Sequence, residues 1–310
     1  MKFMSLVVVE GLSKSYGSTK ALDDVSLSLA EGSVTGLVGP NGAGKTTAIK
    51  VILGLLLPDR GRVEVFGQNP WDNEKIRSRI GVVYEKAFFP PHQNILEYLQ
   101  RCCRIFGVDE SRALDVLKKV DLIDHRHHQV KSLSKGLLQR FSIGHALIHN
   151  PKLIIADEMT ANLDPQARAS ILDLVLQLKK EQNVTFLISS HVLPELSYIC
   201  DSLLIINKGK VVASGKISEL YEKYNASTVR ISAEKTEQLS QEISKLPYVK
   251  KLTANERDIS IQVEPGKEQN LYEDASAIAR KIQVKIFGIE TANTSIEELY
   301  RQAVQQNNGR

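Results

Sequence analysis

The stretch that leaves this chain least freedom is Gly39-Pro40-Asn41-Gly42-Ala43-Gly44-Lys45-Thr46. An apolar run, Val34 to Val38, precedes it and reads as a buried strand, while Thr47 to Leu53 follows it and reads as a helix. A glycine-rich loop set between strand and helix fills every fixed position of the P-loop pattern. Gly39, Gly42 and Gly44 let the backbone curl so that successive N–H groups face inward at a positive helix end, where a phosphate chain can sit. Side chains there would block the approach. Lys45 can then reach the β- and γ-phosphates as a point charge, and the Thr46 hydroxyl can ligate Mg²⁺. The plainer reading is a glycine-rich turn, and it would need all those positions to coincide by chance. The stretch therefore predicts nucleoside triphosphate binding.

A chain of 310 residues predicts two domains, and 42% hydrophobic with 25% charged residues is enough to bury a sizeable core. Lys and Arg total 40 against 36 Asp and Glu, and the resulting +4 is scattered, so it calls for no nucleic-acid partner. Cys102, Cys103 and Cys200 lack metal-ligand spacing and read as free packing thiols of a reducing cytosol. No apolar run approaches the roughly twenty residues that span a bilayer, and no secretory h-region opens the chain. Work at a membrane would need another chain to provide the span.

Residues 6–9, 25–29 and 62–66 are short alternating or β-branched segments and predict an antiparallel patch around the P-loop strand. Tyr16, in the turn Lys14 to Ser18, can stack on a nucleobase or be an ordinary surface tyrosine. From Trp71 to about Pro151 the spacing turns helical, with Ile95, Leu96 and Leu99, then Leu114, Leu117 and Val120. A strand from Gly81 to Glu85, ending on a carboxylate, and the loop Ala87 to Pro91 interrupt it. Ser134 predicts an N-cap for an amphipathic helix carrying Leu138, Phe141 and Leu147.

Leu153 to Glu158 is an apolar strand ending in two carboxylates. Beside a P-loop, Asp157 suits a Mg²⁺-bound water and Glu158 a general base on the attacking water. Asn162-Leu163-Asp164-Pro165 then opens a helix over 166–180, and a buried strand at 184–188 ends at Ser189-Ser190-His191. A histidine in that place is more often structural than catalytic.

Taken together and in order, Tyr16, GPNGAGKT, Glu85, LSKGLLQR (Leu133 to Arg140), LIIADE (Leu153 to Glu158), Asn162 to Asp164 and His191 resemble the nucleotide-binding subunit of an ATP-binding cassette (ABC) transporter, over about residues 5–222. The resemblance implies that Tyr16 stacks on adenine and that Gly39, Pro40, Asn41, Gly42, Ala43, Gly44, Lys45, Thr46 and Thr47 hold ATP phosphates and Mg²⁺. It implies that Glu85 and Asp157 serve the metal, that Glu158 polarises the water and that His191 clamps the γ-phosphate. It also implies a head-to-tail homodimer, in which Ser134 and Gly136 bind the ATP of the other copy and Asp164 reaches across. Four positions depart from the family pattern besides Glu85, which replaces glutamine: Lys135 for glycine, Leu137 for glutamine, Met159 for proline and Asn162 for glycine. A carboxylate at 85 can take Mg²⁺ but cannot donate a hydrogen bond unless protonated.

Beyond Gly215 a short helix over 217–224 leads to a linker at Asn225-Ala226-Ser227. Strands at 228–232, 248–253, 258–263 and 283–289, with helices at 234–246 and 271–282, give a βαββαβ order, the split pattern of ferredoxin-like folds. Thr294 to Glu297 reads as a capping box on a last helix, and the tail from Gln305 is expected to fray. The expected fold is thus an α/β P-loop NTPase core with an antiparallel β subdomain and a helical subdomain (about 88–150) over residues 1–224, then a small α+β, ferredoxin-like accessory domain over 225–310. A dimerisation or regulatory surface and a passive appendage are equally open for the accessory domain.

The expected function is ATP hydrolysis that powers a separate integral-membrane transporter subunit, the chain lying in the cytoplasm against the inner face of the membrane through that partner. A groove near Glu85, Phe88 and Phe89 would receive a partner helix, as the family resemblance implies. A soluble cassette acting on ribosomes or nucleic acid is a rival, disfavoured by a single P-loop and no sustained heptads. The third reading is a nucleotide sensor without turnover, which the altered signature keeps open.

Overall fold

The computed structural model describes residues 5–86, 88–224, 228–264, 266–292 and 296–308. The chain divides into two compact units, Met1–Ile217 and Ser218–Arg310.

In the first unit, β1 (Ser5–Tyr16) and β2 (Thr19–Ala30) form a hairpin whose last pair is Tyr16 with Thr19, so Tyr16 ends a strand instead of lying in the turn. β3 (Val34–Val38) is buried at every residue and runs through the glycine-rich loop into α1 (Lys45–Ile52), which begins two residues earlier than the apolar pattern suggests. β4 (Arg60–Val65) adds to β1, giving an antiparallel sheet in the order β2-β1-β4. Period-two alternation puts Val7, Val9, Leu27, Leu29, Val63 and Val65 on one buried face.

β5 (Ile80–Val83) stops before the carboxylate expected to end it, and Glu85 lies in the bend beyond. The helical stretch holds α2 (Ile95–Phe106), α3 (Ser111–Lys119) and α4 (Lys135–Leu147). α2 starts where Asn94 Oδ1 accepts from the N–H of Leu96 and Glu97, and ends where Gly107 turns left-handed; Ile95, Leu99, Cys102 and Cys103 form its buried face. Then come β6 (Leu153–Asp157), α5 (Pro165–Gln182), β7 (Thr185–Ser190), α6 (Leu193–Ile199), β8 (Ser202–Asn207) and β9 (Lys210–Lys216).

The second sheet has the order β5-β6-β7-β3-β8-β9 and is parallel except for β9. Its inner strands are almost wholly buried, because both faces are covered, and carry polar residues such as Thr35, Thr185, Ser189 and Ser190 among their apolar ones. In register, Asp157 pairs with Ser189 and Val38 with Ser190. The carboxyl ends of β6, β7 and β3 thus open at one edge, the place where α/β sheets bind ligands.

The second unit runs α7 (Ile217–Tyr224), β10 (Thr228–Ala233), α8 (Thr236–Ile243), β11 (Val249–Ala254), β12 (Asp258–Val263), α9 (Glu268–Lys281), β13 (Ile286–Ala292) and α10 (Ile296–Asn308). Its antiparallel sheet has the order β11-β12-β10-β13. Leu239 and Ile243 of α8 and Leu271, Ala275 and Ala279 of α9 bury the inner face of β10 and β12. The last helix continues to Asn308, past the point where fraying was expected. The linker at 225–227 and the cap Thr294 lie outside the described residues.

Candidate functional site

A cavity of about 370 Å³ opens at the carboxyl edge of the six-stranded sheet, lined by Tyr16, Ala21, Pro40 to Thr47, Glu85, Asp157 and Glu158. Two glycines make its loop possible. A Cβ on Gly39 would sit 2.3 Å from the Ile206 carbonyl oxygen, and one on Gly44, at φ +109°, 2.4 Å from that of Ala21. Neither backbone oxygen can yield, so only glycine fits. At Gly42 (φ +78°) an added Cβ would meet nothing within 4 Å, as expected of a position that faces open space.

Lys45, 7% exposed, donates from Nζ to the Gly39 carbonyl at 2.7 Å and lies 3.6 Å from Glu158 Oε1. Thr46 Oγ1 donates to Asp157 Oδ2 at 3.3 Å. A hydroxyl and a carboxylate, hard oxygen donors side by side, suit a Mg²⁺ ion that completes its shell with waters and phosphate oxygens. The other Asp157 oxygen accepts from Ser189 Oγ at 2.5 Å, and the Glu158 N–H donates to Ser189 Oγ at 3.0 Å. Glu158 itself is left-handed, at φ +51°. Its Oε2 is 2.7 Å from Nδ1 of His191, which pairs with it from outside the residues that line the cavity.

Not every predicted site residue faces this cavity. Ser134 caps α4 by accepting from the Leu137 N–H at 3.3 Å, and Asp164 caps α5 by accepting from the Ala167 N–H at 2.9 Å. Both are exposed, and neither lines the cavity. Gly136 packs against α5, where a Cβ would come within 3.0 Å of Ala167 Cβ. Asn162, left-handed at φ +62°, shows why asparagine can stand where glycine is usual, since asparagine tolerates that conformation. Ser189, which holds both acids, was not singled out from the sequence. Its only local sign is its place at a strand end.

A second cavity, about 270 Å³ and mostly apolar, is lined by Ile80, Val82, Tyr84, Phe88, Phe89, Tyr98, His145 and neighbours. Phe89 packs edge-on against Phe141 and Tyr98, at 4.9 and 5.5 Å between centroids, whereas Phe88 is 98% exposed. Burial pushes the His145 imidazole down to about 4, and the neighbouring His149 adds to the shift. The three cysteines are free, and burial raises the thiol pKa of each.

Among known proteins, the family model described as ABC transporter matches residues 22–161. The linearmycin resistance ATP-binding protein LnrL of Bacillus subtilis (strain 168) is 30% identical over 303 residues, 95% of this chain and 97% of that protein. The bacitracin transport ATP-binding protein BcrA of Bacillus licheniformis is 38% identical over 210 residues, 67% of this chain and 69% of that protein. Among solved structures, the ADP conformation of MJ1267, an ATP-binding cassette of an ABC transporter, superposes with a TM-score of 0.65 at 29% identity, over 71% of this chain and 94% of that one. A dimeric post-hydrolysis state of the cassette MJ0796, bound to ADP and Pi, superposes with a TM-score of 0.61 at 28% identity, over 68% of this chain and 98% of that one.

Proposed function

This chain belongs to the ABC transporter family as one of its ATPase subunits, and on that premise we propose that it drives a separate membrane-spanning partner by closing head-to-tail with a second copy of itself around ATP. The observation that carries the reading is the meeting, at one sheet edge, of the glycine-rich loop, the Thr46–Asp157 pair and the Glu158–His191 pair.

In this reading Tyr16 offers its ring to the base, the loop from Gly39 to Thr47 cradles the phosphates, and Lys45 turns from Glu158 toward them. Thr46 and Asp157, with Glu85 beside them on the cavity wall, hold Mg²⁺, which neutralises charge on the β- and γ-phosphate oxygens. Glu158 takes the proton of the attacking water, while His191 holds that carboxylate in place and reaches the γ-phosphate. Ser134, Gly136 and Asp164 stand on the adjoining first turns of α4 and α5, outside their own chain's cavity, which supports their serving the nucleotide of the other copy.

Among the described residues no helix is long and apolar enough to cross a membrane. A span would then come from the partner, and the chain would sit in the cytoplasm at the inner membrane face through it. The apolar cavity beside the exposed Phe88 would receive a partner helix, with Phe89 fixing the loop from inside. Isolating the complex from native membranes should recover an integral protein with wild-type chain and lose it with Phe88→Asp. Unchanged co-purification would overturn the docking assignment. Sedimentation with ATP–Mg²⁺ should show a dimer, and a monomer turning over at full speed would overturn the head-to-tail closure.

A further inference from the structure

Glu195, in the first turn of α6 and four residues past His191, is only 7% exposed. Its Oε2 accepts from Thr160 Oγ1 at 2.5 Å, and Arg168 Nε lies 2.9 Å from its Oε1. The Arg168 N–H is not aimed along that line, so the contact is charge pairing instead of a formed hydrogen bond. Arg168 also donates from Nη2 to the Leu163 carbonyl at 3.2 Å.

These three side chains close around one short piece of backbone. Thr160 and Leu163 lie between Glu158 and Asp164, in a segment with two left-handed non-glycine residues, Glu158 at φ +51° and Asn162 at φ +62°. Such a path persists only where its surroundings hold it. Arg168 belongs to the first turn of α5, which Asp164 caps, and its neighbour Ala167 is the residue packed on Gly136 of α4. A buried ion pair is weak evidence for stability, because apolar replacements of similar size are often as stable. What the carboxylate provides here is a fixed relation between elements.

We propose that Glu195 is a positioning residue: through Thr160 and Arg168 it locks the wall bearing Ser134, Gly136 and Asp164 to the wall bearing Glu158 and His191, so that both reach ATP in register. This rests on the ATPase reading of those residues given above. One wall faces its own nucleotide and the other faces the second copy's. A slack clasp would leave each half intact and spoil their meeting.

The test compares Glu195→Gln, which removes the charge but keeps an acceptor, with Thr160→Val and Thr160→Ser. ATP affinity measured on the monomer should stay within about twofold of wild type, since the phosphate loop is untouched, while kcat falls about 10- to 100-fold, as misplacement of reacting groups does. Thr160→Ser should restore at least half of wild-type kcat. The double variant Thr160→Val with Glu195→Gln should be no slower than the worse single one, because Thr160–Glu195–Arg168 acts in series and breaking either contact already opens the clasp. An unchanged kcat, additive losses, or kcat and ATP affinity falling together without rescue by serine would overturn the proposal. So would unfolding of both Glu195→Gln and Thr160→Val, which would make the clasp a support of the fold. A wild-type chain without turnover, or an unchanged rate in Glu158→Gln, would instead sink the reading of the site on which the proposal stands.

Discussion

Replacing Glu158 by glutamine keeps the side chain's shape and removes one charge from a crowded place. The carboxylate is 15% exposed, 2.7 Å from His191 Nδ1 and 3.6 Å from Lys45 Nζ. At that separation and an effective dielectric near 20, its gross attraction for the Lys45 ammonium is about 5 kcal/mol. The attraction competes with any phosphate for Lys45. With the amide in place, Lys45 keeps its bond to the Gly39 carbonyl but is freer to meet an anion. ATP should therefore bind as tightly as to wild type or tighter. Turnover moves the other way, because the amide cannot take a proton from water. Loss of a general base costs about 100- to 10,000-fold, or about 2.7–5.5 kcal/mol of barrier. Single-turnover phosphate release, paired with equilibrium binding of labelled ATP, separates the two effects. A rate within threefold of wild type, or an affinity tenfold weaker, would refute the reasoning.

Three further outcomes are expected. Gly44→Ala should lose at least about 2 kcal/mol in chemical denaturation and fail to bind ATP, since its Cβ would meet the Ala21 carbonyl oxygen at 2.4 Å. Asn162→Ala should lower stability by about 1 kcal/mol while Asn162→Gly leaves it nearly unchanged, read by thermal unfolding, because only the alanine pays for φ +62°. For His145, held near 4 by burial, the unfolded chain takes up a proton at about pH 6.5 while the folded chain does not. Stability therefore falls as pH drops through that window, by about 2 kcal/mol at pH 5, and His145→Leu should flatten the slope in denaturant titrations between pH 7 and pH 5.

The parts of the site that could be read from the sequence are those whose chemistry is local. The loop from Gly39 to Thr46 carries its own geometry, and the two acids end an apolar run that could only be a buried strand. Helix and strand order in the second unit was legible because the spacing of residues such as Leu239 and Ile243, or Ile259 and Ile261, follows the period of the element. The ends were less so: α8 covers Thr236–Ile243, shorter than the 234–246 expected, since propensity alone resolves termini poorly. β8 was missed although Leu203 to Ile206 is an apolar run bounded by turn residues. Ser189 and the group of Thr160, Arg168 and Glu195 depend on contacts between strands and helices 27 to 35 positions apart, as between Arg168 and Glu195 or Thr160 and Glu195. Nothing in the spacing of a linear chain announces such a meeting. Tyr16 was found but misplaced, by a strand that runs further than its alternation suggests.

The first turn of α4 also explains how a signature segment can vary without losing its shape. Ser134 contributes an oxygen, and no hydrocarbon could replace it. Leu137 contributes an amide hydrogen that every residue but proline possesses, and Lys135 projects into solvent. A saturation scan across these positions should be steep at 134 and shallow at 135, with 137 intolerant chiefly of proline.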